Sequence, residues 1–206
     1  MNNPKGKLIT IEGVDAAGKT TQIEYLKSFF KDSNNIVFTR EPGGTLLSES
    51  IRDILCKGKQ DNMLPITELL LFNAARYEHC SKLIKPEIAK GKIVICDRFI
   101  DSTYVYQCYA GKVPISIFEA LNKLVLDDFQ PDLTIILDID TEIAASRHSN
   151  RDTDEDRFES FPKEFHQMVR AGYKKIAEEN PKRVVMLDAN QDQTSLHEKI
   201  LSILSI

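Results

Sequence analysis

The sequence lacks the features that mark exported, membrane-spanning or metal-clustering proteins. Its 206 residues include only four cysteines and four histidines, and none of these stands at the spacing of a CxxC pair or a zinc motif. No apolar stretch approaches the roughly 20 residues needed to cross a bilayer, and the polar start MNNPKGK does not have the form of an export signal. We therefore expect a reduced, cytoplasmic protein with no metal cluster and no membrane partner.

Charge of one sign is not in excess either. The 27 lysines and arginines are opposed by 31 aspartates and glutamates, for a net charge of −4, which argues against a broad basic face that coats nucleic acid. Internal repeats, low-complexity tracts and interdomain linkers are also missing from the sequence, and its length suits one ordinary core. We predict a single domain over residues 1–206 that binds a small molecule rather than nucleic acid.

Short β-rich segments alternate with longer segments of helical periodicity. Such alternation predicts an α/β fold, a parallel sheet with helices on both faces whose ligands bind beyond the carboxyl ends of the strands. The polar segment 147–157 has no apolar support, so we expect an exposed, mobile loop there. The predicted strands are residues 7–12, 36–39, 92–97, 133–138 and 183–188, and the predicted helices are 20–31, 45–56, 66–90 (bent or restarted at Pro86), 115–129, 162–179 and 195–204.

The segment GVDAAGKT, residues 13–20, follows the first predicted strand and matches the phosphate-binding pattern GxxxxGK[ST]. Gly13 and Gly18 let the backbone turn tightly, so that successive N–H groups and the start of the next helix face one anion. Lys19 adds a positive charge, and the Thr20 hydroxyl is placed to hold Mg²⁺. An ordinary glycine turn is the alternative, but the strand–loop–helix context favours a site for nucleotide phosphates.

The variable positions of this loop contain no arginine, although phosphoryl transfer needs positive charge on the moving phosphate. Arg147 and Arg151 are the candidates to supply it, by closing over bound nucleotides as part of a lid. The alternative is a solvated loop whose charges cancel. Asp15 is unfavourable inside a phosphate cradle without a hydroxyl or amine partner, so we interpret it as an acceptor for a sugar hydroxyl.

Three further features admit two interpretations each. Asp97 ends the third predicted strand and suits Mg²⁺, and Arg98, which follows it, either binds a phosphate or forms a surface ion pair. Phe72 and Arg76 are four residues apart in a predicted helix and suit a planar base, although the apolar neighbours of Phe72 also favour core packing. The segment REPGGT, residues 40–45, is either a close approach to a ligand or a plain strand-to-helix turn.

Six motifs together resemble the thymidylate kinases, in particular the bacterial type with arginines in the lid. They are IEGVDAAGKTT, FTREPGGT, LLLFNAARY, DRFIDSTYVYQ, PDLTIILD and DRFE, and the resemblance extends from Ile11 to Asp188. It implies a three-layer P-loop nucleoside monophosphate kinase fold with a five-stranded parallel sheet and a mobile lid at about 147–157. It further implies phosphoryl transfer from ATP to dTMP, giving dTDP and ADP for dTTP synthesis, with Mg²⁺ and in a homodimer.

The resemblance also implies roles for the residues that match these motifs. The residues expected to bind ATP are Gly13, Val14, Asp15, Ala16, Ala17, Gly18, Lys19, Thr20, Thr21 and, near the adenine, Arg147. The residues expected to bind dTMP are Asp15, Arg40, Phe72, Arg76, Arg98, Ser102, Thr103, Tyr106 and Gln107. Phe72 would stack on thymine and Arg76 would bond its O4 edge. The expected catalytic residues are Lys19, Arg98, Arg151 and Asp97, and the expected Mg²⁺ ligands are Thr20 and Asp97.

Other nucleoside monophosphate or deoxynucleoside kinases share the phosphate loop, strands and lid, and they are the main alternative. The combination of Phe72 and Arg76 with the later motifs disfavours an adenylate or guanylate kinase. A GTP-dependent switch would need an NKxD motif, which residues 122–125 do not form. A nucleotide sensor without turnover is the remaining alternative. This sequence departs from the family pattern at two positions, since the family often has Gly where Ala16 stands and Tyr or His where Phe99 stands.

Overall fold

A five-stranded parallel sheet organises the fold. It is seen in a computed structural model that describes residues 6–57, 63–148, 157–158 and 160–204. The order of the strands across the sheet is β2-β3-β1-β4-β5, and each predicted strand is confirmed to within one residue at either end. The strands are β1 (Lys7–Gly13), β2 (Ile36–Arg40), β3 (Ile93–Asp97), β4 (Leu133–Asp138) and β5 (Val184–Asp188).

Helices connect the strands and flank the sheet. In the part of the chain that the structure describes, the α-helices are α1 (Lys19–Phe29), α2 (Leu46–Cys56), α3 (Pro65–His79), α4 (Lys85–Ala89), α5 (Ile100–Thr103), α6 (Ile115–Leu126), α7 (Thr141–His148), α8 (Lys163–Glu179) and α9 (Gln193–Leu204). π-Helical turns, Cys80–Ile84 and Tyr104–Ala110, continue α3 and α5. None of the helices within these described ranges reaches the length and apolar character of a membrane span.

Both faces of the sheet are buried, because alternate strand residues pack into different apolar clusters. Leu8 and Val94, which are paired in register between β1 and β3, pack with the π-helical turn after α3 and the end of α6. Their neighbours Ile9 and Ile95, also paired, pack with residues of α1 and α9 on the other side. Burial on both faces explains why these strands are almost continuously apolar in sequence.

The helix predicted over 66–90 is three consecutive segments: α3, a π-helical turn and α4. Pro86 lies in the first turn of α4, where its missing N–H costs nothing and a helix can restart.

Two helical segments were not predicted. α5 and its π-helical turn are buried on nearly all sides, so they lack the polar face that helical periodicity requires, and α7 is short and only weakly amphipathic.

The expectation of an exposed loop over residues 147–157 is wrong at both ends. Arg147 is exposed but lies in the last turn of α7. Arg157 is only 3% exposed, because its guanidinium donates to the carbonyl of Leu55 and pairs with the Glu68 carboxylate. Residues 149–156, with Arg151 among them, lie outside the described residues, so the mobile lid stays a prediction.

Candidate active site

A cleft of about 680 Å³ opens at the carboxyl edge of the sheet. We call one part of its wall the loop side (residues 13–20, Asp97 and Arg98) and another the α3 side (Phe72, Arg76, Thr103 and Gln107). Most of the residues singled out from the sequence therefore meet in one cleft. Those that line it are Asp15, Ala16, Gly18, Lys19, Thr20, Arg40, Phe72, Arg76, Asp97, Arg98, Ser102, Thr103, Tyr106 and Gln107.

The loop side is shaped by backbone conformation. Gly13 has φ of 143°, and a Cβ there would lie 2.6 Å from the carbonyl oxygen of Leu137. Ala16, with φ of 59°, occupies the left-handed region that glycine prefers. The side chains of Val14 and Ala17 are buried in the core, so only the backbone of these two residues is available to a ligand.

Lys19 begins α1 and lies over the loop that precedes it. Its side chain is buried, and Nζ donates to the carbonyl oxygens of Gly13 at 3.1 Å and Val14 at 2.9 Å. Burial, with a smaller contribution from Arg98, lowers the pKa of Lys19 to about 8. The ammonium group is thus held where a phosphate at the loop would meet it.

Arg98 is paired with a loop residue rather than with its neighbour Asp97. It forms an ion pair with Asp15 and also donates to the carbonyl of Gly13 at 3.0 Å, while the Tyr106 hydroxyl donates to the other oxygen of Asp15 at 2.8 Å. Burial alone would raise the pKa of Asp15, but Arg98 and Lys19 outweigh it and lower that pKa to about 2. The simple surface ion pair considered for Arg98 is therefore wrong.

Glu12, which the sequence analysis did not single out, holds the turn that carries Arg98. Its fully buried carboxylate accepts from the backbone N–H of Phe99 at 2.7 Å, from Ser102 Oγ at 2.5 Å and from the Tyr173 hydroxyl at 2.9 Å. Arg98 itself has φ of 64°, so its backbone needs such support. Burial, reinforced by Asp101 and opposed by Arg98, raises the pKa of Glu12 to about 7.

Arg76 is buried at the α3 side of the cleft. Nε donates to Glu41 at 2.7 Å and Nη2 donates to Thr103 Oγ1 at 2.8 Å. Glu41 is also bonded to His79, so three segments hold one guanidinium in place. Nη1 of Arg76 is buried and has no hydrogen-bond partner in the described part of the chain. A buried donor without a partner, in the wall of a cleft, suits a polar ligand atom.

Phe72 packs in the core and also borders the cleft, which is compatible with both interpretations of the sequence. It packs against the apolar cluster between α2 and α3 and lies 5.9 Å, centroid to centroid, from the ring of Phe158. It is only partly buried, and the rest of its surface lines the cleft. The ring is therefore supported by core packing and still accessible to a ligand.

Two glycines of segment 40–45 are explained by close packing, and the segment also lies at the cleft. A Cβ on Gly44 would lie 2.4 Å from Nε2 of His79, and one on Gly43 would lie 2.5 Å from a carboxylate oxygen of Glu49. Arg40 lines the cleft but is exposed and paired with Glu49. This segment therefore packs as a tight turn while it forms part of the cleft wall.

Comparison with known proteins decides between the kinases that share this architecture. The family model described as thymidylate kinase matches residues 11–200 of the chain. The chain belongs to the thymidylate kinase family. The expected fold is thereby confirmed, as is the activity of an ATP-dependent nucleoside monophosphate kinase that converts dTMP to dTDP.

Individual thymidylate kinases are similar to this family member along almost their whole length. One from Wolbachia pipientis subsp. Culex pipiens is 44% identical over 201 residues, which covers 95% of this chain and 94% of the relative. One from Thermoanaerobacter sp. strain X514 is 42% identical and covers 97% of both chains. The crystal structure of thymidylate kinase from Ehrlichia chaffeensis superposes with a TM-score of 0.77 at 40% identity, over 98% of this chain and 99% of that one.

Several members of the site could not be found from motifs in this thymidylate kinase sequence. Glu12 and Glu41 lie inside quoted motifs, but a carboxylate beside a strand end gives no sign that it will be buried. Glu68 and Arg157 also form an ion pair behind Gln107, and they are 89 residues apart in the chain. Among the residues described, the predicted residues that do not line the cleft are Gly13, Val14, Ala17, Thr21 and Arg147.

Proposed function

We propose that the cleft holds two nucleotides, with the ATP phosphates at the loop side and dTMP at the α3 side, for in-line phosphoryl transfer between them. The observation that carries the proposal is that one cleft joins the backbone loop of Lys19 to the buried, partly unpartnered guanidinium of Arg76. In-line transfer asks little covalent chemistry of the protein, so positioning and charge stabilisation are its main contributions. The acceptor phosphate is already anionic at neutral pH and needs no general base.

The ATP phosphates are bound by the backbone of residues 13–20, by the Thr21 region of α1 and by Lys19. Left-handed residues in the loop direct successive N–H groups toward an anion. The first turn of α1 adds the partial positive charge of a helix N-terminus. Lys19 exchanges its carbonyl partners for phosphate oxygens, which offer a stronger, charge-assisted bond.

Mg²⁺ is proposed to be held by Thr20 and Asp97. Both residues line the cleft, and Asp97 Oδ1 is buried without a hydrogen-bond partner among the described residues. A carboxylate and a hydroxyl are the hard oxygen ligands that Mg²⁺ prefers, and the ion keeps several waters besides. The oxygen atoms of Thr20 and Asp97 therefore fit this ion. When bound, it would neutralise charge on the phosphates.

The acceptor phosphate and sugar of dTMP are proposed to contact Arg98, Asp15 and Tyr106. Arg98 is already organised by Glu12 and its partners, so its guanidinium is fixed before the substrate arrives. Asp15 then accepts from the sugar 3′-hydroxyl, and the Tyr106 ring crowds the 2′ position. Ser102 supports Arg98, and Arg40 is a weaker candidate for the phosphate because it is exposed and paired.

The thymine ring is proposed to stack on Phe72 and to accept a hydrogen bond at O4 from Nη1 of Arg76. Thr103 and Gln107 complete this pocket from the neighbouring helix. The cation for the transferred phosphoryl group is assigned to Arg151, with Arg147 near the adenine, as the sequence suggested. Of these two, Arg151 lies outside the described residues and Arg147 is exposed on α7.

A homodimer is proposed from large apolar side chains that are exposed on three adjacent helices. α3 packs against both α2 and α6, and its outer face carries Ile66, Leu70 and Tyr77, each at least 47% exposed. Leu47 and Ile54 on α2 and Ile115 and Leu124 on α6 are exposed in the same way. Apolar side chains exposed on neighbouring helices suit an interface with a second copy of the chain. Leu70→Glu should shift the sedimentation of a dimer toward that of a monomer.

We also propose a cytoplasmic location.

A coupled assay of ADP release tests the proposed function. The protein is mixed with ATP, Mg²⁺ and, in turn, dTMP, dUMP, AMP, GMP and CMP, and with thymidine to detect a nucleoside kinase. Selective turnover of dTMP is the expected result. Comparable turnover of AMP or GMP, or turnover of thymidine in place of dTMP, would contradict the assignment of the α3 side to thymine.

A further inference from the structure

Behind the α3 side of the cleft, three buried side chains from distant parts of the chain form a single line of hydrogen bonds. Arg157 pairs with one carboxylate oxygen of Glu68, and Nε2 of Gln107 donates to the other at 2.7 Å. Arg157, Glu68 and Gln107 are all less than 9% exposed. Of the three, Gln107 lines the cleft.

The donor and acceptor groups of Arg157 and Glu68 determine the orientation of the Gln107 amide. A guanidinium can only donate, and a carboxylate can only accept. Because Glu68 accepts from both sides, the Gln107 group that faces it must be the NH₂ group. The carbonyl Oε1 therefore faces away from Glu68, and Gln107 presents an acceptor to whatever occupies the cleft.

The opposite polarity comes from Arg76, which lies about two helical turns from Glu68 on α3. Glu68, Phe72 and Arg76 are spaced four residues apart on α3 and so share one face. Nη1 of Arg76 is a buried donor without a partner in the described part of the chain. The pocket thus combines one donor, one acceptor and an aromatic ring, which complements the O4 and N3–H groups of thymine. Cytosine has the reverse pattern, with an amino group at C4 and a lone pair at N3.

We propose that Glu68 and Arg157 are positioning residues that select thymine over cytosine bases by fixing the polarity of the Gln107 amide. The inference rests on the proposed function, since it assumes that the base of dTMP lies at the α3 side. Neither residue needs to touch the substrate. Discrimination arises because a cytosine would leave its N3 lone pair and the Gln107 carbonyl facing each other without a proton, and buried polar groups left unpaired are costly.

The variant Glu68→Gln tests this proposal because its outcome is fixed by Arg157. The new amide must present its oxygen to the donor-only guanidinium and hence its NH₂ to residue 107. Gln107 must then turn over, so that its NH₂ faces the base. We expect the KM for dTMP to rise on the order of tenfold to a hundredfold, while kcat and the KM for ATP change little. The kcat/KM ratio of dTMP over 5-methyl-dCMP, a cytosine of the same shape as thymine, should fall by at least tenfold.

The double variant Glu68→Gln/Gln107→Glu provides the rescue. Its carboxylate at position 107 accepts from the amide NH₂ introduced at position 68 and again presents an oxygen to the base, so the preference for dTMP should return. Glu198→Gln, an exposed change of the same chemistry on α9, is the matched control and should behave as wild type. An unchanged KM for dTMP in folded Glu68→Gln would overturn the proposal, and so would a loss that the double variant does not restore.

Two further measurements keep the proposal decidable if Glu68→Gln does not fold. In a crystal of the wild-type protein with dTMP, the Gln107 amide must lie between Glu68 and thymine N3, within hydrogen-bond distance of both. A wild-type protein that turns over 5-methyl-dCMP within tenfold of dTMP, or an amide bonded elsewhere in that crystal, would overturn it. If wild type does not turn over dTMP at all, the proposed function fails first, and the two failures are thus distinguishable.

Discussion

The two sides of the cleft are built in different ways. The loop side comes mainly from one continuous segment, residues 13–20, whose backbone conformation and single lysine lie beside Asp97 and Arg98. The α3 side comes from side chains of at least four segments, which are held by buried ion pairs such as that of Arg76 with Glu41. A change at the loop side should therefore alter catalysis and spare the fold, whereas a change at the α3 side should alter the fold or base recognition.

The largest effect is expected on stability, from Arg76→Leu at the α3 side. The variant leaves the Glu41 carboxylate buried without its guanidinium, which should lower the free energy of unfolding by about 3–5 kcal/mol. Arg40→Leu removes an exposed ion pair with Glu49 and should cost about 1 kcal/mol or less. Denaturant titration compares the two. Similar losses would show that burial does not distinguish them.

Lys19→Ala should break the loop side without breaking the fold. We expect kcat to fall on the order of a hundredfold or more, since a preorganised charge at the transferred phosphate is lost. The free energy of unfolding should hardly change, because the lysine is buried at a cost in desolvation. Lys31→Ala, at an exposed position after α1, is the control. Near wild-type turnover of the Lys19 variant would remove this residue from the mechanism.

Glu12 lies beneath the turn that joins the two sides, and its raised pKa should make the free energy of unfolding depend on pH. Native Glu12 has a pKa of about 7, against an unfolded value near 4.5. Between these values the native state holds a proton that the unfolded chain releases, so the contribution of Glu12 to stability is present below pH 4.5 and is lost as pH rises to about 7. The loss should be about 3 kcal/mol.

Glu12→Gln should remove that pH dependence. Relative to wild type, the variant should gain stability as pH is raised from about 5 to about 8, which denaturant titrations across this range would measure. A constant difference between the two proteins across the range would mean that Glu12 does not titrate there. Gln accepts and donates in a similar volume, so the hydrogen bonds from Phe99 and Tyr173 should persist in part.

The smallest effect is expected from Phe72→Ala, which separates base stacking from core packing. Loss of a stacked ring should raise the KM for dTMP by roughly tenfold and leave the KM for ATP near wild type. Ile51→Ala removes a side chain of the same apolar cluster and controls for packing alone. Equal changes in both KM values, or a fall in stability without a selective effect on dTMP, would favour a core role for Phe72.

The comparison also explains which parts of the structure could be predicted from the sequence. The strands were predictable because burial on both faces makes them continuously apolar. The phosphate loop, residues 13–20, was predictable because its contacts are local in the chain. α5 and its π-helical turn were not predictable, because a helix buried on all sides has no periodic pattern. The partners of Arg76, Glu68 and Gln107 were not predictable either, since they are set by contacts between segments 27 to 89 residues apart.

The most direct test of the account is a crystal structure with a bisubstrate analogue in which the 5′-oxygens of adenosine and thymidine are joined by a chain of phosphates. We predict that the phosphates lie across residues 13–20, with the thymine ring on Phe72 and its O4 atom within hydrogen-bond distance of Arg76 Nη1. An analogue bound through its adenosine alone, with no base at the α3 side, would contradict the account.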